Sequence, residues 1–133
     1  MIRRAIPWLL AALLAGLAWM LPPVAQPLQY HDFADQRACF ILPNCLDTVS
    51  NGLFVLAGVL GLLFLRGGTA RRAFINRHEA GFYKLFFGAV ILVGFASGYY
   101  HLAPDNAGLA WDRAAIALAF MAWFAAILGE RIS

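Results

Sequence analysis

The sequence predicts an all-α protein that crosses a membrane several times, and two observations lead to this class. The 133-residue chain is 62% hydrophobic and only 13% charged, a balance typical of membrane proteins rather than of soluble domains. Its apolar residues also gather in long runs, each close to the span of about 17–25 residues that a helix needs to cross a bilayer. We therefore predict a polytopic transmembrane helical bundle of about four spans.

The first apolar run, "AIPWLLAALLAGLAWML" at residues 5–21, follows the basic start "MIRR". Residues 1–25 are either a cleaved secretory signal or an uncleaved signal anchor that forms the first transmembrane helix. The run is longer than the apolar region of a usual signal peptide, about 7–15 residues, and no clean A-x-A cleavage site follows it. We favour the anchor.

Residues 26–46 form a polar segment punctuated by prolines, and we expect a loop there with at most one short helix. The segment contains both cysteines of the chain, Cys39 and Cys45. Two cysteines are too few for a disulfide framework, and they lack the CxxC spacing of a zinc site. They form a local bridge if the loop faces an oxidising compartment, and otherwise they are unpaired thiols.

Three further apolar runs complete the predicted bundle. They cover about residues 48–65, 82–101 and 112–129. Asp47 or Thr48 is expected to cap the first of these helices, and the glycines of that run (Gly52, Gly58 and Gly61) indicate close helix packing in lipid. Residues 66–81 form a basic connection between the first two runs.

The basic residues predict the orientation of the chain in the membrane. They are Arg3, Arg4, Arg66, Arg71, Arg72, Arg77, Lys84 and Arg131. The positive-inside rule places the segments that carry them in the cytoplasm. The loops at 26–46 and 102–111 then share the non-cytoplasmic side. We predict a multi-pass integral membrane protein of a bacterial-type inner membrane, with its site facing the non-cytoplasmic side.

Ser97 and His101 are the first candidates for chemistry, because a spacing of four places them on one helical face. Asp112 begins the next run after a short turn, so it should lie opposite them. Ionisable groups at membrane depth are costly and usually face a polar cavity or a partner. The alternative is structural: His101 and Asp112 cap helix ends, and Ser97 bonds to a carbonyl one turn back.

Asp47, Ser50 and Asn51 share a helical face and start from the same side of the membrane, so we expect them to support this site. The other two histidines lack the spacing of metal ligands. We expect His78 to be a solvated loop histidine, and for His31 we favour a loop role over a metal role.

The motif "SGYYH" followed by "WDR", which contains Ser97, His101 and Asp112, resembles the alkaline ceramidase family of membrane amidases. This family lies within a seven-helix superfamily that includes adiponectin-receptor and hemolysin III proteins. The segments "HDFADQR" and "DTVSN" resemble those that precede and open the first helix of the family. The resemblance runs from about residue 30 to Ser133.

The resemblance implies a zinc-dependent hydrolase that cleaves the amide of ceramide or a related N-acyl lipid. His101 would be a zinc ligand, and Ser97 and Asp112 would serve the zinc-bound water and its activation. Zinc lowers the pKa of bound water and polarises the carbonyl of a stable amide. Membrane lipids are the expected partners, and nothing in the sequence points to nucleic acid.

Two features depart from the family. The later H-x-x-x-H of its zinc site is missing, and the family has about seven helices, so we expect an N-terminal portion that carries part of the site and is inactive alone.

Asp32 and Asp35 resemble part of a family calcium site, since calcium prefers oxygen ligands. Arg37 stands where a neutral ligand is expected. The alternative is that the two aspartates pair with Arg37 and order the loop.

Two non-enzymatic functions also fit the sequence. The same architecture would serve a lipid-binding or receptor-like protein, or a structural protein in which the polar residues only pin helices together. Alanine at His101 separates these classes. Losing a catalytic ligand abolishes zinc binding and turnover, whereas losing a structural residue lowers stability.

Overall fold

The computed structural model describes residues 2–22, 24–33, 35–68, 74 and 77–132. Within them the chain is all-α, as predicted, with one isolated backbone bridge between Cys39 and Leu42. The α-helices are α1 (Ile2–Met20), α2 (Cys45–Ser50), α3 (Gly52–Arg66), α4 (Arg77–Leu102) and α5 (Asn106–Ile132). Leu28–His31 forms a 3-10 helix in the loop after α1.

Among the described residues, three segments are long and apolar enough to cross a membrane: Cys45–Arg66, Glu79–Leu102 and Asn106–Arg131. They agree with the predicted membrane class. Within α1, the segment Leu9–Met20 is apolar but shorter than a membrane span, and its side chains are exposed. The role of residues 1–25 as a signal anchor stays a prediction.

Helix α4 is the centre of the bundle, because α3 and α5 pack along it rather than mainly on each other. The contact between α4 and α5 is lined by small side chains. Its core consists of Ala89, Val93, Ala115 and Ala119. Lipid tails are as apolar as the helices, so association in a membrane depends on this kind of close packing.

Glycines bring α3 against α4. A Cβ added to Gly58 would lie 2.7 Å from the carbonyl oxygen of Phe87, and one added to Gly61 would overlap the Phe87 ring. The close packing predicted for these two glycines is therefore confirmed. Gly52 has open space around its Cβ position, so its predicted packing role was wrong.

Helix α5 begins at Asn106, six residues before the predicted start. The Oδ1 of Asp105 accepts a hydrogen bond of 2.6 Å from the Gly108 amide, which satisfies a donor that the first turn of a helix leaves free. Asp112 therefore lies inside the helix, and the alternative that it caps the helix was wrong.

The predicted caps of the second span were also wrong. Its first helix, α2, begins at Cys45, so Asp47 and Thr48 lie within it. The preceding residue, Asn44, is left-handed with φ 46° and makes no side-chain capping bond. Its side chain instead donates a hydrogen bond to the carbonyl oxygen of His101 in α4.

Helix α4 begins at Arg77, five residues before the predicted start at residue 82. His78 therefore lies in the first turn of a helix rather than in a loop, and its side chain is outside the described part of the structure. The basic residues Arg71 and Arg72, on which the predicted orientation partly depends, also lie outside the described residues.

Candidate functional site

The polar residues singled out in the sequence lie mainly at one end of the bundle. Here α2 begins, α4 ends and α5 begins, and we term this the loop end. His101 occupies the last turn of α4, and Ser97 lies one turn earlier on the same helix, as predicted. Asp112 lies nearly two turns into α5.

Buried polar atoms at the loop end lack hydrogen-bond partners among the described residues. Asp112 is only 6% exposed, and its Oδ1 accepts no hydrogen bond. His101 Nδ1 and His31 Nε2 are buried and unpartnered in the same way. Most buried polar atoms in proteins are hydrogen-bonded, so atoms of this kind indicate a ligand, a bound water or a chemical role.

His31 is docked on α4 by Tyr100. Its Nδ1 lies 2.8 Å from the Tyr100 hydroxyl, and that tyrosine is only 4% exposed. The Phe33 ring packs beside both Tyr100 and His101, with ring centroids 5.4 Å and 4.4 Å away. His31 lies in the loop segment, as predicted, but it belongs to the loop end. Sequence reasoning missed Tyr100 and Phe33, although both adjoin residues that it singled out.

A disulfide bond joins Cys39 and Cys45, so the alternative of two free thiols does not hold in this structure. Asn44, which lies within the bridged turn, connects this turn to α4. Asn44 Nδ2 donates a hydrogen bond of 2.8 Å to the carbonyl oxygen of His101. Carbonyls in the last turn of a helix have no partner within the helix, and this bond satisfies one of them.

Asp35 is buried, and both of its carboxylate oxygens accept hydrogen bonds, one from the loop and one from the start of α2. Oδ1 accepts a bond of 2.6 Å from Arg37 Nε, and Oδ2 accepts one of 2.8 Å from the Leu46 amide. The guanidinium, with help from the amide, lowers the pKa of the Asp35 carboxyl. Asp32 is exposed and accepts a bond of 2.5 Å from Gln36 Nε2. Of the two alternatives for Asp35, the structure therefore has the one in which this aspartate pairs with Arg37.

The predicted supporting face is only partly assembled. Ser50 Oγ and Asn51 Nδ2 both donate to the backbone oxygen of Asp47, at 3.1 Å and 2.6 Å. Ser50 is exposed, so it does not face the site. Asn51 is buried at the junction of α2 and α3, where it packs against Gly98 of α4.

An apolar groove of about 570 Å³ lies over α4, between α3 and α5. Its lining comes from all three helices and contains one hydroxyl, that of Ser97. The lining residues are Phe54, Phe86, Val90, Val93, Ser97, Ile116, Ala119, Phe120 and Trp123. The groove therefore brings an apolar surface within one helical turn of His101.

The free atoms at the loop end have the chemistry that zinc selects, but they do not complete a site. His101 Nδ1 and Asp112 Oδ1 are a nitrogen and a carboxylate oxygen, both of which zinc binds. Within the described ranges, however, no three His, Cys, Asp or Glu side chains are placed to hold a metal ion together. A catalytic zinc needs about three protein ligands. The described residues alone do not make the zinc site that the resemblance implies.

Comparisons of the chain with protein-family models, with curated proteins and with solved structures found no match. The features that bear on function are therefore those of the chain itself. They are an apolar groove that contains a serine, and a histidine and an aspartate with buried atoms that lack hydrogen-bond partners in the described part of the chain.

Proposed function

We propose that this chain contributes to a membrane hydrolase of the alkaline ceramidase type, which cleaves the amide of ceramide or a related N-acyl lipid. The observation that carries the proposal is the apolar groove that contains Ser97, one turn from His101. Its volume falls within the range of small-molecule sites, about 300–1,000 Å³. A groove between membrane-spanning helices suits an acyl chain that enters sideways from the bilayer.

The polar end of the groove suits the amide group. An acyl chain lying along Phe54 and Trp123 would bring the linkage to which it is attached towards Ser97. In the proposed reaction, water adds to the amide carbonyl, the C–N bond breaks, and a fatty acid and an amine are released. Ser97 and Asp112 orient and activate the water, because Asp112 keeps a buried carboxylate oxygen free of protein hydrogen bonds.

Zinc is the cofactor of this proposal, with His101 as one ligand and further ligands from outside the described residues. When bound, the metal supplies an acidified water and polarises the carbonyl. Asp35 already has a cationic partner in Arg37, so the proposal includes no calcium. The site faces the non-cytoplasmic side of a bacterial-type inner membrane in this proposal, as the basic residues predict.

The test is hydrolysis of long-chain N-acyl lipids by the zinc-loaded protein in lipid nanodiscs. We expect fatty acid release in the wild type and its loss in His101→Ala, Asp112→Asn and Ser97→Ala. Ser50→Ala is the matched control, because Ser50 is exposed and bonds only to its own helix. His101→Ala should also lose zinc, measured by mass spectrometry, while its unfolding midpoint stays close to that of the wild type.

If the zinc-loaded protein hydrolyses none of the long-chain N-acyl lipids, the proposal is excluded. The second candidate is a lipid-binding or receptor-like protein without catalysis. It is favoured by the lack of a three-ligand metal group in the described part of the chain. In that case the groove would still bind N-acyl lipid, and His101→Ala would change neither zinc content nor lipid binding.

A further inference from the structure

The most exposed apolar side chains at the loop end lie on the disulfide-bonded turn. This turn, residues 39–45, carries Phe40 and Ile41 at its tip, with relative exposures of 104% and 93%. Large apolar groups presented together in this way mark sites of contact with a membrane or another protein.

The turn is held in shape by several contacts. Cys39 and Leu42 exchange two backbone hydrogen bonds, each of 3.0 Å, and the disulfide closes the turn below them. Phe40 has a φ of 56°, a left-handed conformation that bulky residues rarely adopt. Unfavourable backbone conformations persist where the surroundings enforce them, often at functional positions. In this conformation the Phe40 ring is fully exposed.

The base of the turn lies where a membrane span begins. Cys45 is both the end of the turn and the first residue of the apolar segment Cys45–Arg66. The chain from Ala38 to Leu46 carries no charged residue, and Arg37 and Asp47 flank it on the two sides. In a bilayer crossed by Cys45–Arg66, the turn would lie at the membrane boundary rather than far out in solvent.

Other exposed aromatic residues lie at this end of the bundle. Tyr99, near the end of α4, is 58% exposed, and Trp111, in the second turn of α5, is 70% exposed. Tyr and Trp concentrate where membrane and water meet, because one part of each ring system is apolar and another part is polar. Phe40 lies at this same end of the bundle.

We propose that Phe40 and Ile41 insert into the boundary between lipid headgroups and acyl chains, and that the bridged turn anchors the loop end to the bilayer. A lipid partner is favoured over a protein because the turn continues directly into a membrane span and carries no charged group that would form a polar rim. Arg37, at its base, pairs with Asp35 through Nε, and its side chain stays largely exposed, which suits contact with a lipid phosphate. The proposal is independent of the hydrolase function.

The anchor also fixes the depth of the candidate site. Asn44, which belongs to the turn, donates its hydrogen bond to the carbonyl of His101. A turn held at the lipid boundary therefore holds the end of α4 at a set depth. This arrangement would keep His101 within reach of groups attached to a lipid near its headgroup.

Photo-crosslinking tests the proposal directly. Benzoylphenylalanine is placed at position 40 of the full chain in phosphatidylcholine nanodiscs, and lipid adducts are counted by intact-protein mass spectrometry after illumination. The matched control is the same residue at Gln36, which is exposed in the same loop but outside the turn. We expect severalfold more lipid adduct at position 40. Equal yields, no adduct at position 40, or an adduct with a second protein chain would each overturn the proposal.

A second measurement tests the role of the bridge. In a Cys39→Ser, Cys45→Ser variant with the same label at position 40, we expect the lipid adduct to fall severalfold while helical content by circular dichroism is retained. An unchanged yield in this folded variant would show that the disulfide does not hold the turn in lipid.

Discussion

The helix contacts inside the bundle are close and apolar, whereas the loop end buries polar atoms. Between α3 and α4, glycines let the backbones touch, and between α4 and α5 the contact is made by small side chains. At the loop end, imidazole and carboxylate atoms are buried without partners among the described residues. The first region is stabilised by close packing. In the second, burying polar atoms without hydrogen bonds lowers the stability of the fold.

The difference is one of energetic cost. Free buried polar atoms cost stability, since each loses its water without gaining a protein partner. In the described part of the chain, three such atoms, on His31, His101 and Asp112, lie at the loop end, and Ser97, one turn from His101, lines the apolar groove.

The largest effect is expected at Gly94, in the packing region. A Cβ there would lie 2.6 Å from Val55 Cγ2 and 2.9 Å from the carbonyl oxygen of Asn51. Because one of these neighbours is backbone, we expect Gly94→Ala to lower the free energy of unfolding by about 2–3 kcal/mol, measured by denaturant titration in detergent.

Gly88→Ala is the matched control on the same helix, because its added Cβ meets nothing within 4 Å. Alanine favours helix over glycine, so this control should be unchanged or more stable by up to about 1 kcal/mol. Equal stability of the two variants would contradict the close backbone contact between α3 and α4.

Removing the disulfide should be the largest change at the loop end. Chain-entropy arguments for so short a loop give about 2 kcal/mol for the Cys39→Ser, Cys45→Ser variant. We expect hydrogen exchange to quicken at residues 35–46 and at the end of α4, but not between α3 and α4. Two free thiols in protein purified without reductant would remove the basis of this prediction.

Tyr100→Phe should lower stability by about 1 kcal/mol, because it removes the hydroxyl that pairs with His31 Nδ1. Thermal unfolding in nanodiscs measures the change. Tyr99→Phe is the control, since that neighbouring tyrosine is exposed and should lose little. If both variants matched the wild type, the contact between His31 and α4 would be of no consequence for the fold.

The smallest effect concerns Asp35 and depends on pH. Its folded pKa is lowered below the usual 3.8, so the stability that it contributes is fully present above that pH. That contribution is lost as the pH falls through the lower folded value. We expect the stability difference between the wild type and Asp35→Asn to be constant near neutral pH and to shrink at pH values below 3.8.

Unfolding titrations across that pH range measure the difference. Asp32→Asn is the control, because Asp32 is exposed and bonds only to Gln36. A difference for Asp35→Asn that grows on acidification would contradict the pairing with Arg37.

The sequence was enough to predict the all-α membrane class, because long apolar runs leave few alternatives to spanning helices. It also placed Ser97 and His101 on one face, which depends only on helical spacing. The start of α5 was missed because "PDNAG" has the composition of a turn, while Asp105 in fact caps a helix that begins at Asn106.

The contacts that define the loop end could not be predicted from local patterns. His31 and Tyr100 lie 69 residues apart, and Asn44 and His101 lie 57 apart. Neither pair has a spacing that signals contact, since each depends on how the loop folds back over the bundle. The disulfide was left open for a similar reason, because the redox environment and the loop geometry decide it together.

The central place of α4 has a consequence for biogenesis. Since α3 and α5 both pack on α4, the pair formed by α3 and α4 can assemble as soon as α4 enters the membrane, before α5 has been synthesised. Helix α5 then joins a preformed surface and completes the groove last. A ribosome stalled after α4 should therefore already carry a paired hairpin, with the Ser97 side of α4 still facing lipid.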